Sequence, residues 1–164
     1  MKFEKIDVPQ KGDLLRVHRK KGYYHFGVAS SESTVIHFTG KEDDSITDFK
    51  KVAIRETPLS TFIKKDKLQV LTPFSSPFSR DEVVERAKSF VGSHKFRDKY
   101  YNFITNNCEH FARYIYFDKA ESVQVIRGIQ VASSFVVSAE AVIATTAVVK
   151  TIQKKQAKKK ASNN

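Results

Sequence analysis

Apolar and polar positions alternate in short runs along the first part of the chain and then shift to helical spacing. Pro9-Gln10-Lys11-Gly12-Asp13 is a turn signal ahead of a strand over Leu14–His18. Tyr23–Ser30 and Thr34–Phe38 alternate with a period of two, and Ser31-Glu32-Ser33 between them predicts a hairpin. Phe49–Glu56 and Leu68–Leu71 read as further strands, with the polar stretch Lys41–Asp48 an exposed loop. Pro73 to Pro77 is a connector. Ser79-Arg80-Asp81-Glu82 then has the form of a capping box, and Val83, Val84, Ala87, Phe90 and Val91 follow at helical spacing before Gly92 stops the run. A second helix begins near Cys108, with Asn106 and Asn107 as capping residues and Phe111, Tyr114 and Ile115 on one face. Strands first and helices after predict a small α+β domain with an antiparallel sheet.

The pattern changes again after Glu121. Ile129–Val149 is a run of 21 residues with Glu140 as its one charge. That length can cross a hydrocarbon core, although a charge near its middle costs about 2.5–3.5 kcal/mol on insertion scales. A helix packed on the domain or lying in the membrane interface is the alternative. The expected organisation is a catalytic domain over 1–121, a hydrophobic membrane-associating helix over 122–149 and a basic disordered tail over 150–164.

Charge supports this division. The chain carries a formal +11, and the six lysines after Val149 account for all but +5 of it. His18-Arg19-Lys20-Lys21 and Lys64-Lys65 are short basic runs, read as solvated, so no nucleic-acid partner is expected. The lysine tail suits an anionic membrane surface. If the segment spans, however, it carries those lysines across the bilayer, against the positive-inside tendency. One cysteine among 164 residues makes no intramolecular disulfide, which points to a reducing compartment. The start of the chain shows no apolar leader. One Cys and dispersed histidines have no metal-ligand spacing, and no glycine-rich phosphate loop is present, so neither metal nor cofactor is expected.

The candidate chemistry lies at Cys108. Unpaired N–H groups and the dipole at a helix start favour a thiolate. Its flanking residues, Asn106, Asn107, Glu109 and His110, are polar. The alternative is a buried free cysteine acting as a small hydrophobe. Of five histidines, His25 and His37 fall on one face of the predicted hairpin. A hairpin centred on Ser31 sets them opposite each other, and a centre on Glu32 makes them diagonal neighbours. Either arrangement suits a thiol–imidazole–imidazole set; the alternative is cross-strand packing without function. His110, two residues beyond Cys108 on a helix, points away from the sulfur and is expected to pack or bond nearby. His18 and His94 are expected at the surface.

Four blocks together resemble the lecithin:retinol acyltransferase-like family of the wider NlpC-type papain-like group, nearest the small phospholipase A/acyltransferases (the H-rev-like proteins). They are Pro9-x-x-Gly12-Asp13-Leu14, Tyr24-His25-Phe26-Gly27-Val28, Val35-Ile36-His37-Phe38 and Asn107-Cys108-Glu109-His110-Phe111, the last being the most specific. The resemblance implies a papain-like, circularly permuted arrangement, with Cys108 as nucleophile, His25 as general base and acid, and His37 as the orienting third member. It implies thiol-dependent phospholipase A1/A2 and acyl-transfer chemistry through an acyl-thioester on Cys108. Water, a lysophospholipid or the amine of phosphatidylethanolamine would be the acceptor. The implied partners are phospholipid and a membrane surface, on the cytoplasmic face of intracellular membranes. Two departures stand out: Phe26 where the family commonly has Trp or Tyr, and Arg113-Tyr114-Ile115-Tyr116-Phe117 after the nucleophile. A non-catalytic module sharing these boxes and a cysteine peptidase or amidase are the competing functions. Oligomeric state is not legible.

Overall fold

The hairpin predicted around Ser31–Ser33 is part of a six-stranded antiparallel sheet in a computed structural model that describes residues 2–19, 22–40, 51–102, 106–120, 122, 123, 126 and 127. Its strands are β1 (Lys2–Lys5), β2 (Leu14–His18), β3 (Tyr24–Ala29), β4 (Thr34–Thr39), β5 (Ala53–Pro58) and β6 (Leu68–Thr72), in the order β1-β6-β2-β3-β4-β5. Val28 pairs with Ile36 and Ala29 with Val35, so the turn centres on Glu32. Among the described residues three helices accompany the sheet: α1 (Leu59–Ile63), α2 (Arg80–Lys88) and α3 (Cys108–Phe117). A small hairpin, β7 (Lys95–Phe96) with β8 (Lys99–Tyr100), lies between α2 and α3 in sequence.

The α+β class and the antiparallel sheet are as the sequence pattern implies. The capping box is present too: Ser79 Oγ accepts from the Glu82 N–H at 3.2 Å, and the Ser79 N–H donates to Glu82 Oε2 at 2.7 Å. The helix it opens ends at Lys88, however, short of the predicted apolar run. Val91 is 44% exposed, while Phe90 turns inward against Phe96 and Phe111. The fifth strand begins at Ala53 and continues to Pro58, later than expected.

Both faces of the sheet are buried. One layer gathers Leu14, Phe26, Val28, Ile36 and Phe38 with Cys108, Phe111 and Ile115. The other gathers Leu15, Val17, Ala29, Val35, Leu68 and Val70 around Phe62 of α1. Arg19 belongs to a basic run whose sequence predicts solvation, yet it is 7% exposed. Its guanidinium donates to Asp66 Oδ2 (2.7 Å), the Phe62 carbonyl (2.7 Å) and the Ile63 carbonyl (3.3 Å). Burying that cation is tolerable because it is paired and hydrogen-bonded, and the bonds fasten α1 to the end of β2.

Gly27 permits this cover. A Cβ there would sit 2.6 Å from Val35 Cγ1 and 3.1 Å from Phe62 Cε2. Gly27→Ala is therefore expected to cost about 1–3 kcal/mol through overpacking, read as a lowered urea midpoint at unchanged m. A neutral effect would mean that Phe62 and Val35 yield freely.

The loop expected over Lys41–Asp48, the apolar run Ile129–Val149 and the lysine tail lie outside the described residues. Among the described residues no helix is long and apolar enough to cross a membrane. The chain divides into Met1–Ser122 and Val123–Asn164, and the elements above belong to the first unit.

Candidate active site

β3 and β4 bring His25 and His37 together. The register makes them diagonal neighbours, and His25 Nε2 lies 2.7 Å from His37 Nδ1. The rings are 4% and 1% exposed. Phe62 packs against both, with centroid distances of 5.3 Å to His25 and 5.2 Å to His37. On its far side His37 Nε2 lies 2.9 Å from Thr57 Oγ1 of β5. A chain of three groups, Thr57–His37–His25, therefore runs across three adjacent strands. With His25 Nε2 engaged by His37, Nδ1 is the ring nitrogen on which His25 can take a proton from a thiol.

Cys108 is the first residue of α3 and is 3% exposed. Asn107 is the N-cap: its Oδ1 accepts from the N–H groups of Glu109 (2.9 Å) and His110 (3.1 Å). The sulfur thus stands at the positive end of the helix, where a thiolate is favoured. Asn106, which the sequence also offers as a cap, does something different. Its Nδ2 is placed to donate to the carbonyls of Phe96 (3.1 Å), Lys99 (2.7 Å) and Tyr100 (3.1 Å), clasping the β7–β8 hairpin to the helix start.

That clasp positions Tyr101, a residue the sequence reading missed. Tyr101 is 4% exposed and packs edge-on against Phe38, with centroids 5.0 Å apart. Burial pushes its phenol far above the ordinary range. The charge of Cys108, the neighbouring Tyr23 and hydrogen bonding with the Cys108 side chain push the same way, while the Cys108 backbone N–H pulls against them. Tyr101 therefore keeps its phenolic hydrogen near neutral pH, beside the Cys108 side chain and backbone N–H. α3 packs against β3, the strand that carries His25, and against β4, the strand that carries His37. No local motif signals Tyr101. Its place depends on the β7–β8 hairpin, which is too short to show periodicity.

The remaining histidines stand apart from this chain of groups. His110 Nδ1 lies 2.9 Å from Asn107 Oδ1, within the cap. Burial lowers its pKa, the Arg97 charge lowers it further and Glu109 opposes both, so the ring is neutral near pH 7. His18 is exposed beside Tyr24, and His94 is exposed with Nδ1 3.1 Å from the Val52 carbonyl. Glu109, only 2% exposed, accepts a 2.6 Å hydrogen bond from Ser122.

Fold and site together define an α+β domain with a buried cysteine at a capped helix start and a hydrogen-bonded imidazole pair on the sheet. The chain belongs to the lecithin retinol acyltransferase family, whose model matches residues 7–121. It is similar to the human protein named phospholipase A and acyltransferase 3, at 26% identity over 142 residues, covering 79% of this chain and 83% of that one. The mouse protein of the same name is 26% identical over 133 residues, covering 73% and 78%. Human phospholipase A and acyltransferase 1 is 25% identical over 131 residues, covering 74% and 75%.

Proposed function

We propose that this chain is a thiol-dependent phospholipase A and acyltransferase acting on glycerophospholipids. The observation that carries this reading is the buried 2.7 Å contact between His25 and His37, on strands against which the Cys108 helix packs. Family membership and the names of the relatives support the reaction class. His25 takes the Cys108 proton on Nδ1, and His37 orients the ring and stabilises the imidazolium. The thiolate attacks the ester carbonyl carbon. The oxyanion that forms is met by the Cys108 N–H and the Tyr101 O–H. Collapse breaks the C–O bond, His25 protonates the departing lysophospholipid oxygen, and the acyl group is left as a thioester on Cys108. Water, a lysophospholipid hydroxyl or the amine of phosphatidylethanolamine then attacks the thioester, with His25 again as base. The apolar run Ile129–Val149 and the lysines after it would hold the domain at the cytoplasmic face of a membrane, raising the effective substrate concentration.

Intact-mass spectrometry after incubation with phosphatidylcholine vesicles tests this directly. The wild type is expected to gain an acyl mass that hydroxylamine removes, and Cys108→Ser to gain none. Lysophospholipid release without a trapped adduct would mean fast deacylation and keep the enzymatic reading. Folded protein giving neither adduct nor lysophospholipid would turn the assignment to a non-catalytic module.

A further inference from the structure

We propose that Thr57 is a positioning residue of this site, its hydroxyl oxygen holding His37 in the tautomer that leaves His25 able to accept a proton at Nδ1. The proposal rests on the thiol–imidazole reading above and adds a member that neither sequence pattern nor family motif supplied.

One hydrogen lies between His25 Nε2 and His37 Nδ1, and two neutral arrangements can place it there. In the first, His25 donates from Nε2 and its Nδ1 carries a lone pair. His37 then bears its own hydrogen on Nε2, directed at Thr57 Oγ1, 2.9 Å away. In the second, His37 donates from Nδ1. His25 then bears its hydrogen on Nδ1 and cannot take one there, while the bare Nε2 of His37 accepts from the Thr57 hydroxyl. The first arrangement alone provides a base. It also persists through the transfer: when His25 takes the thiol proton on Nδ1 it still donates from Nε2, His37 stays neutral, and no proton moves to Thr57.

Thr57 supplies the acceptor that this arrangement needs. His37 is 1% exposed, so an N–H on Nε2 depends on a protein acceptor. His37 faces Arg55 across the β4–β5 ladder and Val35 faces Thr57, which puts Thr57 on the same sheet face as His37 and one step along it. Removing the oxygen takes from the first arrangement the acceptor at 2.9 Å from a buried N–H, but from the second only a donor to a lone pair. Orphaned buried N–H groups are the rarer and costlier of the two. The pair then shifts toward the arrangement that has no base.

Ring nitrogen NMR of the full chain labelled with ¹⁵N-histidine reads the tautomers directly, and alkylation of Cys108 by iodoacetamide across pH reads the consequence. The wild type and Thr57→Ser are expected to carry the His37 hydrogen on Nε2. Thr57→Val is expected to move it to Nδ1 and to slow alkylation near neutral pH by roughly 10- to 100-fold. A wild-type His37 protonated on Nδ1 overturns the proposal without any variant having to fold. So does a folded Thr57→Val with wild-type ring spectra. An inert thiol in the wild type would remove the enzymatic reading, and the ring spectra would still decide what Thr57 does.

Discussion

Replacing His25 by asparagine is expected to slow iodoacetamide alkylation near neutral pH, and acyl transfer with it, by about 10²- to 10⁴-fold, the usual range for loss of a general base. Asparagine can keep a polar contact to His37 but has no ring nitrogen to take the thiol proton. The measurement is clean because Cys108 is the only cysteine in the chain, so every alkylation event reports on it. The fold should survive. His25 packs against the rings of Phe62 and His37, and Phe62 stays fastened through its carbonyl to Arg19. An alkylation rate unchanged by the substitution would mean that the helix start alone activates the sulfur. His25 and His37 would then be a packing pair.

Tyr101→Phe separates acyl transfer from thiol activation. The change deletes one hydroxyl and leaves the ring that packs on Phe38. Alkylation by iodoacetamide is a displacement at carbon and forms no oxyanion, whereas attack on an ester does. Acyl transfer is therefore expected to fall about 10²- to 10³-fold, the range seen when one oxyanion donor is removed. Alkylation should fall far less. Comparing the two rates on the same preparation decides the matter. Equal losses would show that Tyr101 acts on the thiolate rather than on the developing oxyanion.

The contrast between these residues shows what the sequence carries. The His25–His37 pairing was legible because it needs only strand alternation and a short turn, both local. The Ser79 capping box was legible for the same reason, since a side chain reaches back only three residues. What escaped depends on distant partners. β1 is the polar run Lys2–Lys5, and it becomes a strand by pairing with β6, Lys2 opposite Thr72. The Arg16 guanidinium, between the Phe3 and Tyr24 rings at 3.9 and 4.0 Å, then secures it. Arg19 looked solvated because its neighbours in sequence are basic, and its burial follows from Asp66 and the α1 carbonyls. α1 itself is a five-residue turn after Pro58, too short to display a helical period, yet it places Phe62 over both imidazoles. Thr57 and Tyr101 likewise gain their places from a register and a hairpin rather than from any motif.

The two asparagines before the nucleophile look interchangeable in the sequence, but they differ sharply in what could replace them. Position 107 has to present an acceptor oxygen to N–H groups, which aspartate, serine or threonine also does. Position 106 has to share two amide hydrogens among three carbonyls, and an aspartate there would set negative charge against all three oxygens. In this chain aspartate is therefore expected to preserve the cap at position 107 and to loosen the β7–β8 hairpin at position 106.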